Sequence, residues 1–157
     1  MGILGMLKTG TTVHKGQVTE TKLLARLTEL GYRCLVPWGN YHTYDLAIDS
    51  EGQLVRVQCK TGRYDEKRGI VLFNTSITYH ARKDDGKHVV RGYVGEIDYF
   101  GVYCPQLNTL YLVPVEDTAK TNTGLRVTAS SIYCCSLTFS PRSISSVLSA
   151  TVRHMSL

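Results

Sequence analysis

At 157 residues and 43% hydrophobic composition, the chain matches one globular domain able to bury its own core, and it is too apolar for a disordered polyelectrolyte. Eighteen Lys and Arg against 13 Asp and Glu leave a formal charge of +5, which favours a polyanionic partner. There is no membrane-length apolar run, the opening Met1-Gly2-Ile3-Leu4-Gly5-Met6-Leu7 is too short for a signal peptide, and five Cys at 34, 59, 104, 134 and 135 show no zinc spacing, so a cytoplasmic protein in a reducing environment is expected.

Apolar residues at Val18, Leu23, Leu24, Leu27 and Leu30 predict an amphipathic helix over residues 15–30, capped by Thr11 or Thr12 and stopped at Gly31. Glu20 precedes Leu23, Leu24 and Leu27 by three, four and seven positions, so its carboxylate lies on the stripe expected to face the core. It is either an edge residue reaching solvent or a metal-facing acid; Glu29 reads as an ordinary solvated charge. A strand over 33–37 ends at Pro37, and a loop carrying Trp38, expected as a core or lid residue, leads to the next segment.

Residues 44–60 read as two strands around Glu51-Gly52. A two-residue loop there makes Ser50 face Gln53, and counting outward sets Asp45 opposite Gln58. Side chains alternate along a strand, so Lys60 shares the face of Gln58 while Val57 and Cys59 point the other way. An acid, an amide and an amine then converge. The arrangement is open to two readings: a cross-strand Asp-Lys pair, or a metal-assisted site. In the second, Asp45 and the carbonyl of Cys59 ligate a divalent cation, and Lys60 positions or deprotonates a water beside a phosphate.

Beyond Lys60, residues 61–69 form a charged turn with Arg63, Lys67 and Arg68, and 70–73 a buried strand. Residues 76–91 read as a second basic loop, with Tyr79, His80, Arg82, Lys83, Lys87 and Arg91 around Asp84-Asp85-Gly86. These side chains, with Lys15, suit contacts to sugar-phosphate and base edges, although acids in both loops offset part of the charge. A hairpin is expected from 98–104 and 109–115, then an edge strand at 124–128. Pro141 and the spacing of Ile144, Val147, Leu148 and Val152 predict a C-terminal helix within 129–157; residues 1–8 are expected to be a flexible start. The Tyr residues are assigned no catalytic role, and the five His show no ligand spacing. The element order predicts a single-domain α/β fold.

Glu20 in the first helix, Asp45 on one strand and Gln58-Cys59-Lys60 on its partner resemble the PD-(D/E)XK nuclease superfamily. Lys15-Gly16, Pro37-Trp38-Gly39, Arg56-Val57-Gln58-Cys59-Lys60-Thr61 and Ile97-Asp98-Tyr99-Phe100 are more particularly similar to the bacterial group I intron homing endonucleases built on the restriction-enzyme fold. The resemblance spans about residues 8–128. It departs from the superfamily pattern at Tyr44, where Pro is usual, and at Gln58, where an acid is usual; an amide brings an oxygen but no charge. The homing branch also carries a glutamine there.

The resemblance implies a restriction-endonuclease-like mixed sheet flanked by helices and a Mg2+-dependent endonuclease (Mn2+ substituting) making double-strand breaks in DNA as a homo-oligomer, a dimer or tetramer. It implies metal ligation by Asp45, Glu20, Gln58 and the Cys59 carbonyl, with Lys60 positioning the water. A Holliday junction resolvase, a restriction enzyme and a basic DNA-binding module without chemistry remain as alternatives.

Overall fold

The Thr11 side chain accepts a hydrogen bond from the N–H of His14 and so starts helix α1, Thr12–Glu29. This computed structural model describes residues 11–39, 41–50, 52–80 and 88–127, with the backbone alone at 78–80 and 88–90. The predicted stop at Gly31 holds. Gly31, at φ +83°, lets its own N–H reach Thr28 O and that of Tyr32 reach Leu27 O, a paired closure that satisfies the last carbonyls. The stripe that the helix buries is Thr19, Leu23 and Leu27, four residues apart. Glu20 lies beside that stripe and is exposed.

The strands are β1 (Arg33–Leu35), β2 (Leu46–Ser50), β3 (Gln53–Thr61), β4 (Arg63–Asp65), β5 (Ile70–Asn74), β6 (Ser76–His80), β7 (His88–Gly92), β8 (Tyr99–Cys104), β9 (Thr109–Pro114) and β10 (Asn122–Arg126). A five-stranded sheet has the order β1-β2-β3-β8-β9, in which β3 and β8 pair in parallel and every other neighbour is antiparallel. Two antiparallel units thus meet along one parallel seam. This is the mixed α/β sheet that was expected.

One face of the sheet carries α1. Leu23 and Leu27 pack with Leu46, Ile48, Val57 and Cys59, and each buried leucine contributes about 1.5–3 kcal/mol. Helix and sheet approach closely at Gly101, where an added Cβ would stand 2.2 Å from Leu23 Cδ2. Against the other face lies a second core of Val71, Phe73, Phe100, Val102, Val113 and Leu125, formed with the three-stranded sheet β10-β5-β4. Among the described residues, one α-helix and the short 3-10 helix Val115–Asp117 accompany the sheet, so a second sheet covers the face where a further helix was expected.

Three expectations need correction. The two basic loops contain strands: β4 lies in the first, and β6 and β7 pair as a hairpin in the second. The β-favouring residues Ile77, Thr78, Tyr79, Val89 and Val90 outweigh the charges among which they are set. Trp38, expected as a core or lid residue, is 97% exposed just beyond edge strand β1, so the core role is excluded. The last strand also sits two residues before the expected 124–128. The expected flexible start and C-terminal helix lie outside the described residues, as do Arg82, Lys83 and Lys87.

Candidate active site

The β2–β3 register is the one obtained by counting outward from the turn, with Ser50 opposite Gln53 and Leu46 opposite Val57. One step further, the N–H of Asp45 donates to Val57 O at 2.9 Å, which sets Asp45 beside Gln58. The Asp45 carboxylate then receives two donors on a single oxygen: the N–H of Cys59 at 2.7 Å and the side-chain amide of Gln58. Gln58 Nε2 also stands 3.5 Å from the Cys59 carbonyl. Asp45, Gln58 and the Cys59 backbone form one cluster.

Electrostatics tie two more groups to it. Burial raises the Asp45 pKa above the usual carboxylate range, although the Cys59 N–H, the Lys60 charge and the Gln58 amide all oppose that shift. Glu20 is also raised, by partial burial and then by the negative charge of Asp45, which places the helix acid within electrostatic reach of the strand acid. Lys60 is lowered by burial, against the pull of Asp45. Each of these charges is held at a cost in the folded protein.

Lys60 Nζ donates to the hydroxyl of Tyr93 at 2.9 Å and lies 4.8 Å from its ring centroid. Tyr93 escaped the sequence reading, since it lies 33 residues from Lys60 and outside any strand, and only a buried tyrosine seeking a hydroxyl partner could have signalled it. The Cys59 thiol belongs to the opposite, apolar face. Burial and then the charges of Asp45 and Glu20 push it far above its ordinary value, so the protonated thiol is a poor ligand and the Cys59 carbonyl is the group on offer.

These donors fit a hard divalent cation. Glu20, Asp45, the Cys59 carbonyl and, after a half-turn of its amide, Gln58 present oxygen alone, and positive charge beside them would offset the burial that raises both carboxyls and the Asp45 charge that further raises Glu20. Among the described residues no cluster of three or more His, Cys, Asp or Glu is placed to hold a metal ion.

Of the residues expected to touch nucleic acid, Lys15 is tied by its backbone to the end of β3. Its carbonyl accepts from Thr61 Oγ1 at 3.4 Å, and Thr61 also meets buried Thr19 at 2.7 Å. Arg63 is exposed on β4, and Lys67 and Arg68 are exposed on the turn that follows. Arg68 faces Asp65, and Arg91 on β7 pairs with Glu96. Tyr79 and His80 lie on β6, so the described positions are distributed over α1, β4, the turn after it, β6 and β7.

The chain belongs to the PD-(D/E)XK endonuclease family, whose model matches residues 11–134. It is therefore a nuclease with a nucleic-acid substrate, from a family whose members typically use divalent metals. Its fold is similar to the solved structure of a bacterial homing endonuclease, I-Ssp6803I, at 28% identity and a TM-score of 0.65, covering 78% of this chain and 82% of that one. No curated protein matches it by sequence. Among the described residues no helix is long and apolar enough to cross a membrane.

Proposed function

We propose that this chain is a Mg2+-dependent homing endonuclease that hydrolyses phosphodiester bonds at a specific DNA sequence to make a double-strand break. The observation that carries the reading is the convergence on Asp45: Gln58 and the Cys59 N–H bind one carboxylate oxygen, Glu20 is in electrostatic reach, and Lys60 shares the strand face of Gln58. Its likeness to I-Ssp6803I, a bacterial homing endonuclease, supports the homing assignment over the resolvase and restriction alternatives.

Asp45, Glu20, the Cys59 carbonyl and Gln58 would hold Mg2+ or Mn2+, which when bound supplies Lewis-acid stabilisation of the charge that builds on the phosphate. Gln58 fixes the orientation of Asp45 while its amide N–H donates to that carboxylate; turned, it would give up this hydrogen bond and offer its oxygen to the cation or to a water. Lys60 presents its ammonium to the attacking water and to the phosphate, adding positive charge where the transition state gains negative charge. The water oxygen bonds to phosphorus and releases its proton to solvent as the phosphorus–oxygen bond to the leaving group breaks, and the leaving oxygen takes up a proton from solvent.

One site cuts one strand, so a double-strand break requires at least two copies, and a homo-oligomer supplies them in register with a near-palindromic target. Lys15, Arg63 and Lys67 are offered as phosphate contacts, and Arg68 and Arg91 exchange their acids for phosphate in the same role. Tyr79, His80, Arg82, Lys83 and Lys87 complete the proposed DNA surface.

The test is incubation with linear, supercoiled and four-way-junction DNA, in Mg2+ or EDTA, for wild type and Lys60→Ala. Discrete fragments of linear DNA made by wild type in Mg2+ alone support the reading. Junction-only cutting assigns a resolvase, and binding of every substrate without cutting makes Gln58 the mark of a site without chemistry.

A further inference from the structure

Tyr93 is buried, and its placement is over-determined. Its carbonyl accepts from the N–H groups of Glu96 at 2.9 Å and Ile97 at 3.3 Å, closing a turn in which Gly95 takes φ +83°. The carbonyl of that glycine accepts from Arg56 Nη1 at 3.3 Å. Arg56 is further fixed on Asp98, through its own N–H at 2.7 Å, Nε at 3.2 Å and Nη2 at 3.1 Å. The Tyr93 ring meets Phe100 edge to face at 5.2 Å and 85°, and Phe100 meets Phe73 at 5.7 Å.

Arg56, Gln58 and Lys60 alternate onto one face of β3. The strand therefore grips the Tyr93 turn at Arg56 and receives the phenol back at Lys60, four residues on. A lysine side chain has four rotatable carbon-carbon bonds and loses about 2 kcal/mol of rotamer freedom when held in one place, so an ammonium aimed at a reaction centre needs a fixed partner. Asp45 attracts the ammonium through its charge, while the hydrogen bond of Lys60 Nζ goes to Tyr93. The fixed partner of Lys60 is the Tyr93 hydroxyl.

We infer that Tyr93 is a positioning residue for Lys60, its hydroxyl holding the ammonium on the face of β3 shared with Gln58 in the orientation needed for phosphodiester cleavage. The inference rests on the reading that Lys60 belongs to the cleavage site, and it adds a group outside the Glu20, Asp45, Gln58 and Lys60 set. Tyr93 acts through Lys60 and has no contact of its own with the phosphate.

The test compares wild type, Lys60→Ala, Tyr93→Phe and Tyr93→Met in single-turnover cleavage of linear DNA, with DNA affinity in EDTA and thermal melting measured alongside. Tyr93→Phe keeps the ring against Phe100 and deletes the hydrogen bond, and Tyr93→Met keeps a flexible apolar side chain there without a hydroxyl, with thermal melting reporting the fold of each. The expected result is a cleavage rate constant lower by about ten- to hundredfold, the range set by one hydrogen bond to a charged group, with DNA affinity unchanged. Detection of the Lys60 ammonium by 15N NMR supplies a readout free of activity: a slowly exchanging signal in wild type that Tyr93→Phe abolishes. Wild-type rates in both Tyr93 variants while Lys60→Ala is inactive overturn the inference alone. A loss in Tyr93→Phe that follows melting, with the Lys60 signal intact, assigns Tyr93 to the core. Wild-type cutting by Lys60→Ala overturns the underlying site itself.

Discussion

The two faces of β3 obey opposite rules. Val55, Val57 and Cys59 pack toward α1, with Val57 fully buried, and that face is built as a hydrophobic core is built. Arg56, Gln58 and Lys60 occupy the other face, and each is matched to a separate polar partner: Asp98, Asp45 and Tyr93. Within that polar face the three pairs also differ. Arg56 and Asp98 make a bidentate, partly exposed pair that stabilises both charges, whereas burial shifts Asp45 and Lys60 against their charged forms. One face holds the fold together, and two-thirds of the other works against it in a way that suits binding a cation and a phosphate.

Lys60→Ala breaks this contrast most severely. With the ammonium gone, the cleavage rate constant is expected to fall about a thousandfold, the upper range for loss of one preorganised charge-stabilising donor, while melting stays near wild type; single-turnover assays and calorimetry read the two. Leu23→Ala is the mirror image. It should cost about 2–5 kcal/mol of stability by opening a cavity beside Gly101 and Val57, and leave the cleavage rate constant unchanged at temperatures where the protein is folded, as denaturant unfolding and cleavage kinetics would show.

The acid pair yields a pH effect. Both Glu20 and Asp45 titrate above the ordinary carboxylate range, so divalent-metal binding should weaken on acidification at a pH higher than isolated acids would give. In Asp45→Asn the Glu20 carboxyl should move back down, because the neighbouring charge is removed; NMR titration of the carboxyl carbons follows both groups. An unmoved Glu20 would separate the two acids.

Arg56→Ala is the smallest effect and the sharpest control on the polar face. Partial burial alone would raise Asp98, but the Arg56 guanidinium and N–H hold its carboxyl below the ordinary range. That contribution is present above the unfolded value, about 4, and is lost as pH falls through the lower folded value. Because both side chains are more than a third exposed, the loss at neutral pH should be about 1 kcal/mol or less, and it should vanish in strong acid. Chemical unfolding of wild type and variant at neutral and low pH measures it.

Much of this site was legible from local rules. A two-residue loop fixes register, and a period of two then dictates which residues share a face, so Asp45, Gln58 and Lys60 could be placed by counting. The helix was equally readable because Thr11 and Gly31 mark both ends. What resisted reading was non-local or masked by charge. The parallel pairing of β3 with β8 has no turn to announce it, and the Tyr93 contact depends on that pairing through Arg56 and Asp98. The β6–β7 hairpin was hidden because lysines, arginines and histidines there look like a solvated loop, and the exposure of Trp38 runs against the usual tendency of a large aromatic to bury.

Asp45→Asn tests the central claim most directly, with metal-dependent cleavage and metal-free melting measured on the same protein. Asn keeps an oxygen for the Cys59 N–H and can meet a turned Gln58 amide, so the change removes charge with little loss of shape. A carboxyl raised by folding stabilises the protein when protonated and loses that contribution as pH rises through the folded value, so the variant should be the more stable protein at pH 7, with the difference closing at low pH. The account predicts a better-folded protein that neither binds the cation well nor cuts DNA. Retained metal-dependent cleavage by Asp45→Asn would contradict it.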